Sequence, residues 1–262
     1  MRIVLFDTVI QGVHLHLDSY VLFNLLLNPA AFVLIGAWFL RRHGATRRRA
    51  LLAPFMLMCA VLSGSRLVWF LLAYDHYRVN GINPLIPSAG GYTMYGGFVV
   101  GLCMIGLFAR IARMDVWRFL DCMAPGWAFG ILINKVGCFL NGCCMGVPTD
   151  SILGVRFPLL TYPDPVHPVQ LYEAFVGAVG CLIVIFLLKK LWGSGIPFFG
   201  FATLYAISRF VFHFLRETPI RMSASPWFGI IGYALAILVA GGILLSRIAA
   251  SRHQASSGDG PA

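Results

Sequence analysis

The chain has 262 residues, of which 59% are hydrophobic and only 11% are charged, and its formal net charge is +10. This composition excludes an ordinary soluble globular domain and predicts an all-α membrane protein. A strongly basic chain is also typical of nucleic-acid binding. Here, however, the basic residues are concentrated in alternate loops between apolar segments, so no nucleic-acid partner is expected.

Apolar segments recur along the chain at lengths suited to crossing a hydrocarbon layer about 30 Å thick as helices. We predict about seven transmembrane helices, near residues 19–40, 51–74, 96–109, 119–138, 171–188, 197–215 and 227–246. No cleavable signal peptide is expected, because the first apolar segment continues for a full span. The sequence therefore predicts a single transmembrane domain over residues 1–251 and a disordered cytoplasmic tail, rich in Ser and Gly, over residues 252–262.

Basic side chains follow the first, third, fifth and seventh apolar segments, whereas the other loops hold few of them. The residues concerned are Arg41, Arg42, Arg47, Arg48, Arg49, Arg110, Arg113, Arg118, Lys189, Lys190, Arg247 and Arg252. Because positively charged loops remain in the cytoplasm, this pattern predicts an N-terminus outside the cell membrane and a cytoplasmic C-terminus.

Charged side chains inside the spans are few, and such residues generally face a bundle interior or a polar cavity. They are Arg66, Lys135, Glu173, Arg209 and His213, all predicted in the outer half of the membrane or near its outer surface. Arg209 and His213 are four residues apart and therefore share a helix face. Because the cations outnumber the carboxylates at this depth, we expect an anionic ligand such as a phospholipid phosphate. Snorkelling to the membrane interface is the alternative.

The segment "INKVGCFLNGCCMG" at 132–145 ends the fourth span with three cysteines, Cys138, Cys143 and Cys144. On the oxidising side of the membrane, a Cys138–Cys143 disulfide is the favoured interpretation. A metal site and a nucleophilic cysteine remain open, although C-x4-C-C alone is not a recognised zinc pattern. The other cysteines lie inside apolar helices, where we expect them to serve in packing, and they are Cys59, Cys103, Cys122 and Cys181.

Several motifs together resemble those of the prolipoprotein diacylglyceryl transferase family, in the order in which that family carries them. "HPVQLYEA" at 167–174 is the nearest match, resembling H-P-S-Q-L-Y-E-A, and "GSRL" at 64–67 resembles G-G-R-L. "YGGFVVG" at 95–101 resembles H-G-G-L-I-G, and "NKVGCFLNGCCMG" resembles G-R-x-G-N-F-I-N-x-E-x-x-G. "YAISRFVFHFLRETP" at 205–219 resembles Y-x-x-x-R-F-x-x-E-x-x-R, and the tyrosine of "DSYVLF" resembles one in the family's first helix.

The resemblance extends from Tyr20 to about Pro219 and implies a function. Family members are multi-pass proteins of the bacterial inner membrane, with the active site toward the periplasm. They move a diacylglyceryl group from phosphatidylglycerol to a lipobox cysteine of a prolipoprotein. The expected partners are therefore phosphatidylglycerol, a prolipoprotein lipobox peptide and the lipid bilayer. No cofactor is expected, and no metal ligand is assigned.

The same resemblance implies two groups of site residues. Those expected to take part in the chemistry are Lys135, Arg209, His213, Tyr95 and His167. Those expected to bind substrate are Tyr20, Arg66, Gly96, Gly97, Asn141, Gly142, Gly146, Glu173, Tyr205 and Arg216. Cations near a departing phosphate stabilise the transition state, a role that suits Lys135 and Arg209. An imidazole is a suitable base near neutrality and a tyrosine is not, so His213 or His167 is expected to take the proton.

At the expected site, the chain departs from the family motifs at five positions. Tyr95 stands in place of a histidine, Lys135 in place of an arginine, Cys138 in place of an asparagine, and Cys143 and His213 each in place of a glutamate. Lysine lacks the bidentate fork that arginine offers to phosphate. Two alternatives therefore stay open beside the family reaction: phosphatidylglycerol-dependent transfer to a different acceptor, and a non-catalytic phospholipid-binding or transport protein.

Overall fold

A computed structural model describes residues 4–10, 13–74, 78–79, 93–157, 164–216 and 226–256. The described chain begins with an antiparallel β-hairpin of strands β1 (Val4–Ile10) and β2 (Val13–Asp18), in which Ile10 is paired with Val13. The hairpin was not predicted, although "VHLHLD" alternates apolar and polar residues as a strand with one buried face does. It is an addition to an otherwise helical architecture.

The predicted membrane helices are present in the described residues. The first span begins as a π-helix at Val21–Leu27 and continues as α1 (Asn28–Arg42). It is followed by α2 (Arg47–Leu72), α3 (Met94–Ala112), α4 (Val116–Asn141), α5 (Val169–Leu191), α6 (Ile196–His213) and α7 (Pro226–Ser256). Six of these spans are long and apolar enough to cross a membrane, and the apolar part of α3 is shorter. The predicted all-α membrane fold is confirmed.

The surface of these helices is apolar, as lipid contact requires. Large hydrophobic side chains project from the described helices, with exposed fractions of 69% at Phe175, 70% at Leu182 and 72% at Leu238. So much exposed hydrocarbon would be unstable in water. The expected disorder of the tail is wrong at its beginning, because α7 continues through residues 252–256; residues 257–262 lie outside the described residues.

The chain divides into two compact units, one formed by Met1–Phe32 and Asp121–Ala262 and the other by Val33–Leu120. The single domain expected over residues 1–251 stays a prediction. Within the second unit, α2 and α3 approach closely. A Cβ at Gly64 would lie 2.7 Å from the carbonyl oxygen of Gly96, and the Thr93 amide donates a hydrogen bond to the Ser65 carbonyl at 3.1 Å. Small residues at such crossings let two helix backbones meet.

In the first unit, glycines of α4 make room for the first span. Gly126 and Gly130 are four residues apart on one face of α4, and a Cβ at Gly126 would lie 3.0 Å from the carbonyl oxygen of Phe32. A Cβ at Gly137 would contact Phe23 and lie 3.3 Å from Nδ2 of Asn24. The π-helix therefore packs directly against the end of α4 that carries the candidate site.

Asp121 fixes the opposite end of this unit. Its carboxylate is fully buried and accepts hydrogen bonds from the backbone amides of Gly193, Gly195 and Phe198, at 2.9, 3.0 and 3.2 Å. These amides lie in the turn between α5 and α6 and in the first turn of α6, where unpaired N–H groups favour a negative charge. Asp121 thus ties α4 to the α5–α6 connection and sets how these three helices stand relative to one another.

Candidate functional site

Three helices of the first unit place charged side chains against one another at one end. Lys135 of α4 contacts Glu173 of α5, with 2.7 Å between Nζ and Oε2. Arg209 of α6 contacts the other carboxylate oxygen, with 2.5 Å between Nη1 and Oε1. The side chains of Lys135 and Arg209 are each 11% exposed and that of Glu173 is 1% exposed. The two predicted cations therefore converge, but they do so on a shared carboxylate.

The position of each residue in its helix explains this convergence. Lys135 lies in the last two turns of α4, Glu173 in the second turn of α5 and Arg209 in the last turn of α6. Antiparallel neighbouring helices bring these positions to the same end. One turn beyond Glu173, a Cβ at Gly177 would lie 2.8 Å from the backbone nitrogen of Leu132. The missing side chain lets α5 approach α4 closely enough for the Lys135–Glu173 contact.

Two tyrosines complete the cluster. Arg209 donates a hydrogen bond from Nη2 to the Tyr233 hydroxyl at 2.6 Å, and its guanidinium carbon lies 5.2 Å from the centre of the Tyr233 ring. The Tyr205 hydroxyl donates to Oε2 of Glu173 at 3.5 Å. Nε of Arg209 is buried and has no hydrogen-bond partner among the described residues. The arginine is thus held by α5 and α7, and one of its buried donors is left without a partner in the described part of the chain.

The charges of this cluster do not cancel. Lys135 and Arg209 contribute two positive charges and Glu173 one negative charge, which leaves +1. Arg216, just beyond α6, is close enough to interact electrostatically with Glu173 and adds a further positive charge. A buried charge without compensation is unfavourable. The site is therefore suited to one anionic group, although Glu173 neutralises more of the positive charge than the sequence suggested.

A short segment after α4 connects the ends of the other helices. The Gly146 amide donates to the His167 carbonyl at 2.8 Å, and the Val147 amide donates to the Leu215 carbonyl at 2.9 Å. Gly146 also forms a β-bridge with Arg216, and a Cβ at Gly146 would lie 2.6 Å from the His167 Cβ. The structure therefore brings together three of the predicted residues, Gly146, His167 and Arg216, at the end of the unit that holds Glu173.

The cysteine-rich turn follows from the way α4 ends. The Gly142 amide donates to the Phe139 carbonyl at 3.0 Å and the Cys143 amide donates to the Cys138 carbonyl at 3.1 Å. Together these bonds form a Schellman motif, with Gly142 in the left-handed conformation at φ +69°. Because this motif reverses the chain, Cys143 returns to Cys138. The Cys143 carbonyl accepts a hydrogen bond at 2.6 Å from Nε2 of Gln170, which is fully buried.

The sulfurs of Cys138, Cys143 and Cys144 lie within 4.8 Å of one another, and all three cysteines are free thiols. The expected Cys138–Cys143 disulfide is therefore not formed in the structure. Hydrogen bonds with the other two thiols lower the pKa of Cys144 well below its ordinary range. The positive charges of Arg216 and Lys135 lower this pKa further, while burial opposes them.

The two candidate bases occupy different settings. His167 lies in the bridged segment, with 3.3 Å between its Nδ1 and the Tyr172 hydroxyl. His213 packs against α7, where its ring centre lies 5.9 Å from that of Tyr233, and a Cβ at Gly229 would lie 2.8 Å from its Cε1. Arg209 and His213 thus share Tyr233 as a neighbour, which agrees with their expected common helix face.

The remaining predicted residues are distributed over both units. Tyr20 precedes the π-helix, and Asn141 and Gly142 end α4. Arg66, Gly96 and Gly97 belong to the second unit, where the two glycines serve the contact between α2 and α3. Tyr95 is in the first turn of α3, and its side chain lies outside the described residues. Residues 217–219 of the last family motif also lie outside the described residues.

Sequence reasoning missed four polar residues that position this unit. Asp121 and Gln170 are fully buried, and Tyr233 holds Arg209. Asn24, in the π-helix, is 5% exposed, and neither of its side-chain polar atoms has a hydrogen-bond partner within the part of the chain described. An acid in an apolar span was a signal for Asp121. A lone Asn or Tyr in such a span is a weaker signal, because either can also lie at the interface.

Comparison with known proteins agrees with the motifs. The sequence model of the prolipoprotein diacylglyceryl transferase family matches residues 8–247. A phosphatidylglycerol–prolipoprotein diacylglyceryl transferase of Clostridium botulinum (strain Loch Maree / Type A3) is 28% identical over 171 residues, covering 63% of this chain and 67% of that protein. The enzyme of the same name from Brucella anthropi is 36% identical over 169 residues, covering 62% and 59%. Because the family match extends over most of the chain, this protein belongs to the prolipoprotein diacylglyceryl transferase family.

Proposed function

We propose that this protein transfers a diacylglyceryl group from phosphatidylglycerol to the sulfur of a lipobox cysteine in prolipoproteins, releasing glycerol-1-phosphate. One observation carries the proposal beside the family membership. Lys135, Glu173 and Arg209 form a buried cluster that retains a positive charge and can accept one phosphate. Two relatives named for this activity match 63% and 62% of this chain.

The reaction is a displacement at carbon. The lipobox thiolate attacks the glyceryl carbon that carries the phosphate ester, a C–S bond forms and the C–O bond breaks. The electron pair remains on the phosphate oxygen, which leaves as glycerol-1-phosphate. Positive groups that are already in place stabilise the charge that develops on this oxygen. Nε of Arg209 and the ammonium of Lys135 supply such donors, and Arg216 adds charge nearby.

Glu173 acts in this scheme as a positioning residue. It holds both cations in place, and its carboxylate is occupied by them, so it is a poor choice for the base. The thiol proton passes instead to an imidazole. His213 is the better candidate of the two predicted histidines, because it shares Tyr233 with Arg209, whereas His167 is built into the bridged segment. Displacement by a thiolate needs no cofactor.

The site is proposed to face the periplasm from the inner membrane. Glu173 is near the beginning of α5 and Lys189 near its end, 16 residues later. At 1.5 Å per residue these side chains are about 24 Å apart along the helix. Since Lys189 belongs to the loops predicted in the cytoplasm, the cluster lies toward the opposite leaflet. A lipobox peptide emerging there and phosphatidylglycerol of the bilayer would meet at this end.

Two other functions remain as alternatives, because Lys135, Cys138, Cys143 and His213 depart from the family motifs. The first is transfer from phosphatidylglycerol to an acceptor other than a lipobox cysteine. The second is phospholipid binding or transport without catalysis. Both retain the cationic cluster as an anion site.

One experiment separates the three. The purified full-length chain is incubated with phosphatidylglycerol and a lipobox peptide, and lipid and peptide products are identified by mass spectrometry. We expect a diacylglyceryl-modified peptide and glycerol-1-phosphate, both lost in Arg209→Ala and retained in Arg48→Ala, which changes an exposed arginine. Full activity of Arg209→Ala would contradict the site assignment. Glycerol-1-phosphate without modified peptide would indicate a different acceptor, and lipid binding without any product a non-catalytic protein.

A further inference from the structure

The three cysteines of the α4 turn form a compact sulfur cluster that the transfer reaction does not use. Cys138 is in the last turn of α4 and is 6% exposed, and the Schellman motif returns Cys143 to it. Cys144 has φ +63°, a left-handed conformation that a residue with a Cβ seldom adopts. The backbone thus takes an unfavourable conformation at the residue whose sulfur completes the cluster.

We propose that Cys138, Cys143 and Cys144 form a three-thiolate site for a soft d10 metal cation of the Zn²⁺ or Cu⁺ class. Thiolate ligands select such cations. With metal–sulfur bonds of about 2.3 Å in tetrahedral geometry, the sulfurs would be about 3.8 Å apart. The observed sulfurs lie within 4.8 Å of one another, so side-chain adjustments of no more than about 1 Å would place all three at bonding distance.

The charge of the surroundings suits a metal–thiolate group. Three thiolates around a divalent cation carry a net charge of −1, and the net charge is more negative around a monovalent cation. Lys135 and Arg216 both interact electrostatically with Cys144, and their positive charges offset this negative charge. Gln170 holds the Cys143 carbonyl at 2.6 Å, which fixes the backbone between two of the ligands. Such outer contacts orient metal ligands in known sites.

The other interpretations explain less of the geometry. A Cys138–Cys143 disulfide would leave Cys144 unused in its unfavourable conformation. A cysteine that attacked the diacylglyceryl carbon would form a thioether, from which a second thiol does not readily displace the sulfur. A bound metal uses all three sulfurs and fastens the turn that leads to Gly146. A bound metal would share Lys135 and Arg216 with the cationic cluster, so metal binding is measured separately from the proposed transfer reaction.

Cadmium provides a direct probe, because cadmium–thiolate bonds absorb in the near ultraviolet. We expect the metal-free, reduced full-length chain in detergent to bind one equivalent of Cd²⁺ with this absorption. Replacing any one of the three ligands by serine should weaken Cd²⁺ binding at least about tenfold, since even the loss of a group that only orients a metal ligand commonly does so. The three variants are Cys138→Ser, Cys143→Ser and Cys144→Ser. Cys59→Ser and Cys103→Ser change exposed cysteines of other helices and should bind as the parent chain does. Arg209→Ala should lose transfer activity but still bind Cd²⁺.

A second measurement avoids variants that fail to fold. Cd²⁺ should protect the three clustered cysteines of the parent chain from alkylation by N-ethylmaleimide, compared with the same chain without Cd²⁺. The proposal is overturned if alkylation of the cluster is equally fast with and without Cd²⁺, or if a triple Ser variant that folds binds Cd²⁺ equally well. A disulfide within the cluster of protein isolated without reductant would overturn it as well.

Discussion

Replacement of Glu173 by glutamine tests whether the carboxylate holds the two cations in place. Glutamine has nearly the same shape but carries no charge, so the cluster would change from +1 to +2. The contacts of 2.7 Å to Lys135 and 2.5 Å to Arg209 would lose their ionic character at a site where Glu173 is 1% exposed. Removing one partner of a buried ion pair costs about 3–5 kcal/mol. Because the glutamine oxygen can still accept one hydrogen bond, we expect about 3 kcal/mol.

The loss should appear as a lower melting temperature in detergent. For a chain of this size about 3 kcal/mol corresponds to roughly 6–12 °C, measured by size-exclusion chromatography after heating. Lys135→Met on its own removes the same Lys135–Glu173 ion pair, and the charge of the cluster changes from +1 to 0. If the cluster acts as a unit, the double variant Glu173→Gln/Lys135→Met should therefore be less destabilised than the sum of the two single variants. A Glu173→Gln protein as stable as the parent chain, or strictly additive effects, would refute this account of the cluster.

Three further substitutions test how the helices are held, each measured as a melting temperature in detergent. Asp121→Asn should cost at least about 1–3 kcal/mol, because an amide nitrogen would face backbone N–H groups that now donate to a carboxylate; exposed Asp150→Asn should have little effect. Gly142→Ala should cost about 1–2 kcal/mol through its φ of +69°. Gly177→Ala should cost about 1–3 kcal/mol, since its Cβ would lie 2.8 Å from a backbone nitrogen. Gly106→Ala is the control for both glycines, because its Cβ would lie in open space, and it should not lower the melting temperature. A melting temperature of Gly142→Ala or Gly177→Ala equal to that of the parent chain would contradict the stated geometry.

The membrane helices were predictable because their signal is carried by many residues at once. A span of about 20 apolar residues differs from every common soluble element, and each predicted segment overlaps a helix of the structure. The hairpin at Val4–Asp18 was missed because its strands have 7 and 6 residues and their alternation is short. The π-helix at Val21–Leu27, which packs against Gly137 of α4, leaves no comparable pattern in the sequence.

The charged residues of the candidate site were predictable, but the contacts between them were not. Lys135, Glu173 and Arg209 were identified by their charge inside apolar spans, because a charged side chain in hydrocarbon is unfavourable unless it is paired or faces a polar cavity. Which charges would pair could not be read from spacing, since the three residues come from three helices. The same limit applies to the cysteines. The predicted position of Cys138 and Cys143 on the oxidising side suggested a disulfide, whereas the turn at Gly142 brings three sulfurs together.

Three of the five positions that depart from the family motifs, Cys138, Cys143 and His213, lie outside the contacts of Glu173, whereas a fourth, Lys135, contacts Glu173 directly. Glu173, Tyr205 and Arg209 match, and they are joined by direct contacts at the cationic cluster. The departures at Cys138 and Cys143 lie together in the sulfur cluster, and His213 lies apart from them against α7. A change of acceptor or of loop chemistry would alter Cys138, Cys143 and His213 and leave Glu173, Tyr205 and Arg209 unchanged. Glu173, Tyr205 and Arg209 of the cationic cluster are therefore shared with the family motifs, whereas its second cation, Lys135, is not. Differences in activity between this chain and its relatives should follow Lys135, the sulfur cluster and His213.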